Sequence, residues 1–367
     1  GSVPKEFEKQ PHRPHAMFEV IAEGDRLIHH PYQSFQPVID FLTAAAIDPD
    51  VVAIKQTIYR TGEDSELMRL LLAAAKAGKE VTVVVELMAR FDEQTNINWA
   101  SRLEEVGAHV VYGVVGHKTH AKMLLVLRRE NGRIRRYAHL GTGNYHPRTA
   151  SLYTDFGLFT ANSELCEDMD KVFAQLTGLG ARRTLKLLLQ SPFNMHSTVM
   201  SMIQAEIKAA KAGKKARIMA KMNSLIESEV VEALYEASQA GVSIDLFVRG
   251  LCTLRPGVEG LSENIRVRSI IGQFLEHSRV LYFYADGQER VYLSSADWME
   301  RNFFRRVEVA FPVLDAKLKK RVIDEAFTFA LRDNQRAWLQ QSDGQYERIV
   351  NRRHVFFLHN QLMNVLG

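Results

Sequence analysis

Two kinds of apolar segment alternate along this chain of 367 residues. Short β-branched runs at residues 51–59 and 80–87 predict strands, and the alanine-rich stretch 65–77 between them predicts a helix that ends at Gly78. Because a helix that connects two strands favours parallel pairing, the pattern predicts an α/β fold whose mixed, mainly parallel sheets are covered by helices. The first half is further predicted to contain a helix at 96–106 and strands at 109–112, 123–127 and 135–140.

The pattern recurs in the second half. Residues 73–85 align without a gap on residues 236–248, and in both segments an alanine-containing helix ends at a glycine before a β-branched run. We therefore expect two equivalent halves. The second half is predicted to contain strands at 216–221, 243–249, 265–269, 280–284 and 289–293, a helix from Ser228, and a mainly helical tail from Lys317.

The domain boundary is predicted where Ser191-Pro192 interrupts a helical run. This gives a first domain at residues 15–191 and a second at 192–367. Residues 1–14 are interpreted as tag or linker from a truncated upstream region, since Gly1-Ser2 resembles a cloning scar and no initiator Met follows. We expect the native protein to begin further upstream.

A histidine and a cation two residues later occur in each half. The triplets are His120-Ala121-Lys122 and His277-Ser278-Arg279, and each leads into a predicted strand. Residues i and i+2 of a strand share a face, so the imidazole and the cation are expected side by side, an arrangement suited to phosphate chemistry. One such triplet is weak evidence. Two triplets are stronger evidence, since each is followed by a small-residue turn, residues 141–144 (Gly-Thr-Gly-Asn) and 294–297 (Ser-Ser-Ala-Asp).

Composition narrows the class of protein. The net charge is only +4, but arginines concentrate near the triplets in sequence, which favours an anionic substrate; they are Arg128, Arg129, Arg133, Arg135, Arg136, Arg301, Arg305 and Arg306. Two cysteines are too few for a disulfide framework and lack zinc-site spacing, so we expect the cytoplasm as the compartment. No apolar run approaches the roughly 18 residues that predict a membrane span.

Longer strings around the triplets resemble the phospholipase D superfamily and, more closely, the first family of polyphosphate kinases. The resemblance runs from about His15 to the C-terminus and corresponds to that family's two C-terminal catalytic domains. The strings are residues 29–35, 56–60, 89–93, 137–144, 152–155, 248–250, 254–257, 260–265, 274–279 and 305–309. The resemblance implies two tandem phospholipase D-like domains.

The resemblance also implies a reaction: reversible transfer of the terminal phosphate of ATP to inorganic polyphosphate, through a phosphohistidine and with Mg²⁺. His120 matches the phosphorylated histidine, and His277 matches a second active-site histidine that contacts nucleotide and is a candidate acid–base group. Tyr153 and Arg249 match nucleotide contacts. The other phosphate-binding candidates are Lys122, Arg279, Asn144 and Arg306.

Arg60 and Arg90 match positions at the family's magnesium site. A guanidinium has no lone pair to give a cation, so they are expected to hold phosphate oxygens that in turn bind Mg²⁺. Asp155 and Glu308 are carboxylates near matched motifs, and each either fixes a histidine tautomer or pairs with an arginine. The expected partners are ATP, ADP and polyphosphate, without nucleic acid, and the full-length protein is expected to be a homo-oligomer.

The sequence departs from phospholipase D at one informative position. That superfamily places an Asp five residues after the lysine, but Leu127 and Tyr284 occupy these positions here. This disfavours a hydrolytic site and suits a phosphohistidine that must survive until its acceptor arrives. Two alternatives stay open: a phospholipase D-like phosphodiesterase that uses the same histidines, and a noncatalytic polyphosphate-binding fragment.

Overall fold

The computed structural model describes residues 1–8, 15–113 and 116–367. It divides into two compact units, Gly1–Leu188 and Leu189–Gly367. The division lies just before the predicted boundary at 191/192. Residues 9–14 of the predicted N-terminal linker lie outside the described residues. Among the helices that the structure describes, none combines the length and hydropathy that a membrane crossing requires.

The first unit is built on one twisted sheet of strands in the order β1-β8-β7-β6-β2-β3-β4. The strands are β1 (Arg26–His30), β2 (Val51–Ile58), β3 (Glu80–Val85), β4 (His109–Val111), β5 (Lys118–Thr119), β6 (Lys122–Glu130), β7 (Arg133–Gly141) and β8 (Tyr153–Thr160). The helices are α1 (Ala16–Glu23), α2 (Gln36–Ile47), α3 (Glu66–Lys76), α4 (Glu93–Glu105), α5 (Pro147–Leu152) and α6 (Ser163–Leu176), after a 3₁₀ turn at Lys5–Phe7.

Local sequence explains where α3 begins and ends. The Ser65 hydroxyl accepts a hydrogen bond from the Met68 amide at 3.2 Å, which satisfies one of the free donors of the first turn. Gly78 ends the helical segment with φ +88°, a conformation that favours glycine. The apolar face of α3, including Leu67 and Leu71, packs into the core of the unit beside Phe41 and Leu124.

The second unit repeats the plan with strands in the order β18-β17-β12-β11-β10-β14-β15-β16, and β9 pairs with β16. The strands are β9 (Leu189–Ser191), β10 (Arg217–Met222), β11 (Ser243–Val248), β12 (Ile265–Ile270), β13 (Leu275–Glu276), β14 (Arg279–Phe283), β15 (Arg290–Ser294), β16 (Arg306–Pro312), β17 (Ala337–Gln340) and β18 (Tyr346–Arg348). The helices are α7 (Met195–Lys211), α8 (Ser228–Gln239), α9 (Ala316–Ile323), α10 (Phe329–Arg332) and α11 (Leu358–Leu366), with a 3₁₀ turn at Ala285–Gly287 and π-helical turns at Arg301–Arg305 and Asp324–Thr328.

The predicted α/β class is confirmed, but the expectation of mainly parallel pairing is wrong. Parallel pairs join β2 to β3, β3 to β4, β10 to β11 and β11 to β12. In the described residues antiparallel pairs are more numerous, because short turns rather than helices connect several consecutive strands. The Asn131-Gly132 turn between β6 and β7, with φ +51° and +75°, is one such connection.

The predicted helical tail is also corrected. The helical run ends at Arg332. Beyond it, the Asp333 carboxylate accepts hydrogen bonds from the backbone amides of Gln335 at 3.0 Å, Arg336 at 2.7 Å and Ala337 at 3.1 Å. The chain then forms β17, which pairs with the edge of β12, and turns back as β18. Apolar periodicity alone did not reveal this edge pairing.

Candidate active site

Tyr59 lies at the centre of the polar group around His120. The rings of Tyr59 and His120 meet edge to face with centroids 4.9 Å apart. The Lys122 ammonium lies 5.3 Å from the centre of the Tyr59 ring, and the Arg60 guanidinium carbon lies 5.5 Å from it. His120 and Lys122 are both buried. The structure therefore brings His120, Lys122 and Arg60 to one aromatic ring. The sequence had not indicated this tyrosine as a site residue.

Thr57 on β2 and Glu86, which follows β3, hold the backbone on either side of His120. The Thr57 hydroxyl donates to the Ala121 carbonyl at 2.7 Å and accepts from the Met123 amide at 3.0 Å. The Glu86 carboxylate accepts from the Thr119 amide at 2.9 Å. Since the amides before and after His120 are both anchored, the imidazole is carried on a fixed backbone.

The small-residue turn after β7 is shaped by Asp155. The Thr142 hydroxyl donates to Asp155 at 2.7 Å and accepts from the Phe156 amide at 3.0 Å. A Cβ at Gly143 would lie 2.1 Å from an Asp155 carboxylate oxygen, so only glycine fits there. Asn144 follows in this turn and is half-buried, and Tyr153 is half-buried at the start of β8.

Arg60 and Arg90 follow the ends of β2 and β3. Arg60 Nε lies 3.7 Å from an Asp92 carboxylate oxygen. The Arg90 guanidinium carbon lies 4.9 Å from the centre of the Phe91 ring, which is 82% exposed and has φ +74°. Neither arginine offers a metal ligand, so their chemistry fits bound phosphate and not direct coordination of a cation.

In the second unit the histidine and the cation contact each other directly. An Arg279 Nη atom lies 3.1 Å from His277 Nε2. The same guanidinium donates to both carboxylate oxygens of Asp297, at 3.1 and 3.2 Å. Burial alone would raise the pKa of Asp297, but the facing Arg279 and the Asn223 amide lower it below its usual value. The Arg279 charge is thus balanced by a carboxylate.

Asn223 connects this pair to Arg249. Its backbone amide donates to Asp297 at 2.7 Å, and its side-chain oxygen accepts from Arg249 Nε at 3.2 Å. A chain of hydrogen bonds therefore runs from His277 through Arg279, Asp297 and Asn223 to Arg249. Asn223 was not among the expected site residues, although the strand register places it at the position equivalent to Tyr59 of the first unit.

The turn of the second unit repeats the turn of the first. The Ser295 hydroxyl donates to Glu308 at 2.8 Å and accepts from the Val309 amide at 3.2 Å, as Thr142 does with Asp155 and Phe156. The Asn302 side-chain amide also donates to Glu308. Arg306 lies half-buried at the start of β16. Both carboxylates thus shape the turns, and their expected action on a histidine tautomer stays a prediction.

Part of the arginine cluster does not belong to this region. Arg128 is six residues along β6 from Lys122, which corresponds to roughly 20 Å of extended strand. It pairs there with Asp48 and Glu130, each at 3.0 Å. Arg133 and Arg135 lie beside it on β7. Closeness in sequence was misleading because the hairpin carries these arginines to the opposite end of the sheet from His120.

One group of potential metal ligands occurs among the described residues of the second unit. His196, Glu227 and Glu229 each offer an atom within 4.8 Å of the others. However, the Glu227 carboxylate accepts from the Glu229 amide at 3.1 Å and the Val230 amide at 2.8 Å, and His196 Nε2 lies 3.1 Å from it. Glu227 acts here as the N-cap of α8, which accounts for the arrangement without a metal.

Family models account for almost all of the chain. Polyphosphate kinase C-terminal domain 1 matches residues 16–182, and polyphosphate kinase C-terminal domain 2 matches residues 188–357. The chain belongs to the polyphosphate kinase family. The sequence resemblance to this family is confirmed, and each unit of the structure corresponds to one of its C-terminal domains.

Curated polyphosphate kinases are similar to this chain. That of Burkholderia ambifaria (strain MC40-6) is 68% identical over 337 residues, which cover 91% of this chain and 49% of that protein. That of Paraburkholderia phytofirmans is 64% identical over 356 residues, covering 96% of this chain and 51% of that protein. The chain therefore spans about half the length of the curated polyphosphate kinases it matches.

Solved structures support the same family and fold. The crystal structure of polyphosphate kinase from Porphyromonas gingivalis matches with a TM-score of 0.92 and 38% identity, covering all of this chain and 56% of that one. Phosphatidylserine synthase of Haemophilus influenzae matches with a TM-score of 0.59 and 9% identity, covering 96% of each chain. The second likeness concerns the fold alone. The expected architecture of two tandem α/β domains is confirmed.

Proposed function

We propose that this chain catalyses reversible transfer of the terminal phosphate of ATP to inorganic polyphosphate, with His120 as the phosphorylated residue. The observation that carries the proposal is the grouping of His120, Lys122 and Arg60 around Tyr59. In this grouping the candidate nucleophile shares one aromatic neighbour with two cations, and Thr57 anchors the backbone beside it. Membership of the polyphosphate kinase family supports the substrate class.

The proposed reaction has two displacement steps. An imidazole nitrogen of His120 attacks the γ-phosphorus, an N–P bond forms, and the bond to the β,γ-bridging oxygen breaks with its electron pair leaving on ADP. A terminal oxygen of polyphosphate then attacks the same phosphorus, and the N–P bond breaks. In this proposal Lys122 and Arg60 stabilise the negative charge on the transferred group.

The remaining candidates bind or transfer protons. His277 is proposed as the acid–base histidine, since Arg279 beside it is balanced by Asp297. Arg249 and Tyr153 are proposed as nucleotide contacts, and Asn144, Arg279 and Arg306 as phosphate contacts. Asp155 and Glu308 are proposed to support these groups through the turns that they shape.

Mg²⁺ is proposed as the cofactor. It would neutralise charge on the phosphates of the nucleotide. Because Arg60 and Arg90 cannot ligate a cation, they would hold the phosphate oxygens that in turn bind it. We further propose a cytoplasmic protein that acts with ATP, ADP and polyphosphate as partners and forms homo-oligomers at full length.

Labelling with γ-³²P-ATP tests the nucleophile. The wild-type chain is expected to acquire label that is stable in base and labile in acid, and His120→Ala is expected to lose it. The matched control is His109→Ala, which removes an exposed histidine from the same unit and should label normally. Label that persists in His120→Ala would exclude this assignment.

The same preparation separates the alternative functions. Added polyphosphate should discharge the label into longer chains, whereas a phospholipase D-like hydrolase would release inorganic phosphate. A noncatalytic polyphosphate-binding fragment would take up no label but would still bind the polyanion. Leu127 and Tyr284, which replace the superfamily's aspartates, favour the transfer outcome.

A further inference from the structure

A buried ionic group lies beside the His277 segment. The Lys221 ammonium on β10 donates to the carboxylate of Glu276 and, at 2.8 Å, to the hydroxyl of Ser278. The second Glu276 oxygen lies 2.7 Å from Nε2 of His359 on α11. His359 is 0% exposed, and Glu276 and Lys221 are also buried. A group of charges this deep in a protein requires close pairing to be tolerated.

Alternation along the chain relates this group to His277. Glu276 and Ser278 both contact Lys221, whereas His277 and Arg279 contact each other. The side chains therefore point alternately to two faces, as in an extended strand. Glu276 and Ser278, on either side of His277, are held from one face of the strand. This fixes the direction in which the His277 imidazole points from the opposite face.

The hydrogen bonds of His359 define its orientation. The Phe274 amide donates to Nδ1 at 3.4 Å, so the proton of the ring is on Nε2 and is donated to Glu276. A Cβ at Gly272 would lie 2.7 Å from the same Nδ1, so the chain passes against the ring where only glycine fits. His359 thus contacts the segment before His277 at two points.

The charge balance shows that Glu276 depends on its partners. Burial alone would raise the pKa of the Glu276 carboxyl, but Lys221 and His359 lower it well below its usual value. If the His359 donor is removed, one carboxylate oxygen of Glu276 loses a buried partner. The segment that carries this carboxylate then loses part of its support, because a buried charge is stabilised by the donors that face it.

We propose that His359 is a positioning residue for His277, acting through Glu276, so that the C-terminal helix α11 sets the orientation of the second active-site histidine. The proposal rests on the proposed acid–base role of His277 for its effect on rate. Its structural part, the orientation of the imidazole, does not depend on that role. Displacement of a reacting group by about 1 Å can cost roughly 100-fold in rate.

The experiment compares three variants of this chain. His359→Leu removes the donor, and His359→Gln retains one side-chain N–H that can donate to Glu276. Leu362→Ala is the matched control, because it truncates another buried residue of α11 and removes no hydrogen-bond donor from Glu276. Each variant is examined by thermal unfolding, by the NMR Hε1 resonance of His277 without substrate, and by kcat and KM for polyphosphate synthesis.

We expect His359→Leu to shift the His277 resonance and to lower kcat by about 10- to 100-fold with little change in KM. His359→Gln should keep the His277 resonance close to its wild-type position and recover most of kcat. Leu362→Ala should lower the unfolding temperature while leaving the His277 resonance in place. The proposal is overturned if His359→Leu folds with an unchanged His277 resonance, or if Leu362→Ala moves that resonance equally. If His359→Leu does not fold, His359→Asn takes its place, since its side chain is one methylene shorter than that of Gln: we expect it to shift the His277 resonance, and an unchanged resonance overturns the proposal.

These readouts separate this proposal from the proposed function. If the resonance moves as expected but wild-type synthesis is absent, the proposed function fails and the positioning role stands. If wild-type synthesis is present and the resonance of His277 does not respond, the positioning role fails and the function stands.

Discussion

The two histidine segments share a strand plan but differ in how the neighbouring cation is balanced. In the second unit Arg279 is paired with both oxygens of Asp297. In the first unit the corresponding turn position is Asn144, a neutral amide, and the cation Lys122 lies over the ring of Tyr59. A carboxylate in one repeat and an amide in the other therefore distinguish the electrostatics of the two sites.

A second difference lies on the neighbouring strand. Thr57 of β2 and Lys221 of β10 occupy equivalent positions, because they pair with Val84 and Phe247, which align in the repeat. Thr57 holds the backbone through a hydroxyl, whereas Lys221 holds the side chains of Glu276 and Ser278 through a charge. At this position the first segment is thus supported by a neutral hydroxyl and the second by a charged ammonium.

These differences suit different chemical roles. A cation without a carboxylate at the equivalent turn position attracts a phosphoryl group, and an imidazole that attacks phosphorus benefits from such a neighbour. An imidazole beside a balanced arginine can gain a proton with less repulsion. The comparison agrees with the proposal of His120 as nucleophile and His277 as acid–base group.

The largest expected effect comes from removing the second histidine. If the roles differ as proposed, His277→Ala should slow synthesis by roughly 10² to 10⁴, the usual cost of losing an acid–base group, but should not remove the ability of His120 to carry label. Rapid-quench labelling measures the two steps separately. An unaltered rate would make His277 structural, and complete loss of label would assign it to the nucleophilic step.

The next effect concerns the balancing carboxylate. Asp297→Asn gives the second unit the amide of the first and leaves the buried Arg279 without its counter-charge, which should cost about 3–5 kcal/mol in free energy of unfolding. The reciprocal Asn144→Asp should leave the fold intact and weaken phosphate binding. Urea unfolding and calorimetric titration with polyphosphate measure these outcomes. If Asp297→Asn is as stable as wild type, the pair does not balance the charge as the structure indicates.

Much of this comparison could be read from the sequence. The triplets, the two turns and the helix-glycine-strand repeat predicted two equivalent halves, because local periodicity and turn residues act over short stretches of chain. Asn144 and Asp297 occupy equivalent positions in the turns, so the difference between amide and carboxylate was visible before the structure. Their interactions with neighbouring residues were not.

What the sequence did not reveal depends on pairing between distant segments. Glu276 and His359 are 83 residues apart and meet only because α11 folds back on the segment before His277. The Arg128 group was misplaced because the hairpin separates residues that are close in sequence. The predominance of antiparallel pairs was missed for a related reason, since the direction of a strand depends on its connection and not on its own apolar pattern.

The two units should also differ in their response to acid. Burial lowers the pKa of His30 to about 4 and that of His139 to about 3, from an ordinary value of 6.5. Below pH 6.5 these histidines bind protons in the unfolded chain but stay neutral in the folded one. The free energy of unfolding of the first unit should therefore fall as pH drops toward 4. At pH 5 the loss is on the order of 2 kcal/mol for each histidine.

In the second unit the shifted groups beside His277 are carboxylates, and they respond at lower pH. The pKa values of Asp297 and Glu276 are depressed below 3.8 and 4.5, so their stabilisation is complete above these values and is lost only as pH falls through the folded pKa. Hydrogen exchange at pH 7 and pH 5, corrected for intrinsic rates, follows the two units separately. Equal loss of protection in both would contradict the assignment of acid sensitivity to His30 and His139.

The smallest effect tests the neutral support of the first histidine. Thr57→Val keeps the side-chain shape but removes the donor to the Ala121 carbonyl and the acceptor for the Met123 amide. Leaving these buried groups without the hydroxyl should cost about 1–2 kcal/mol in free energy of unfolding. Because the same bonds fix the backbone around His120, labelling of His120 should slow as well.

Thr82→Val is the control for Thr57→Val, since it removes a buried hydroxyl from β3, the neighbouring strand, away from the His120 segment. It should leave the labelling rate unchanged. If both variants slow labelling equally, the effect reflects general weakening of the sheet. If Thr57→Val alone slows it, a neutral hydroxyl in the first unit performs the same supporting task as the charged Lys221 in the second, and the two histidines differ in the balance of charge beside them more than in the rigidity of their backbone.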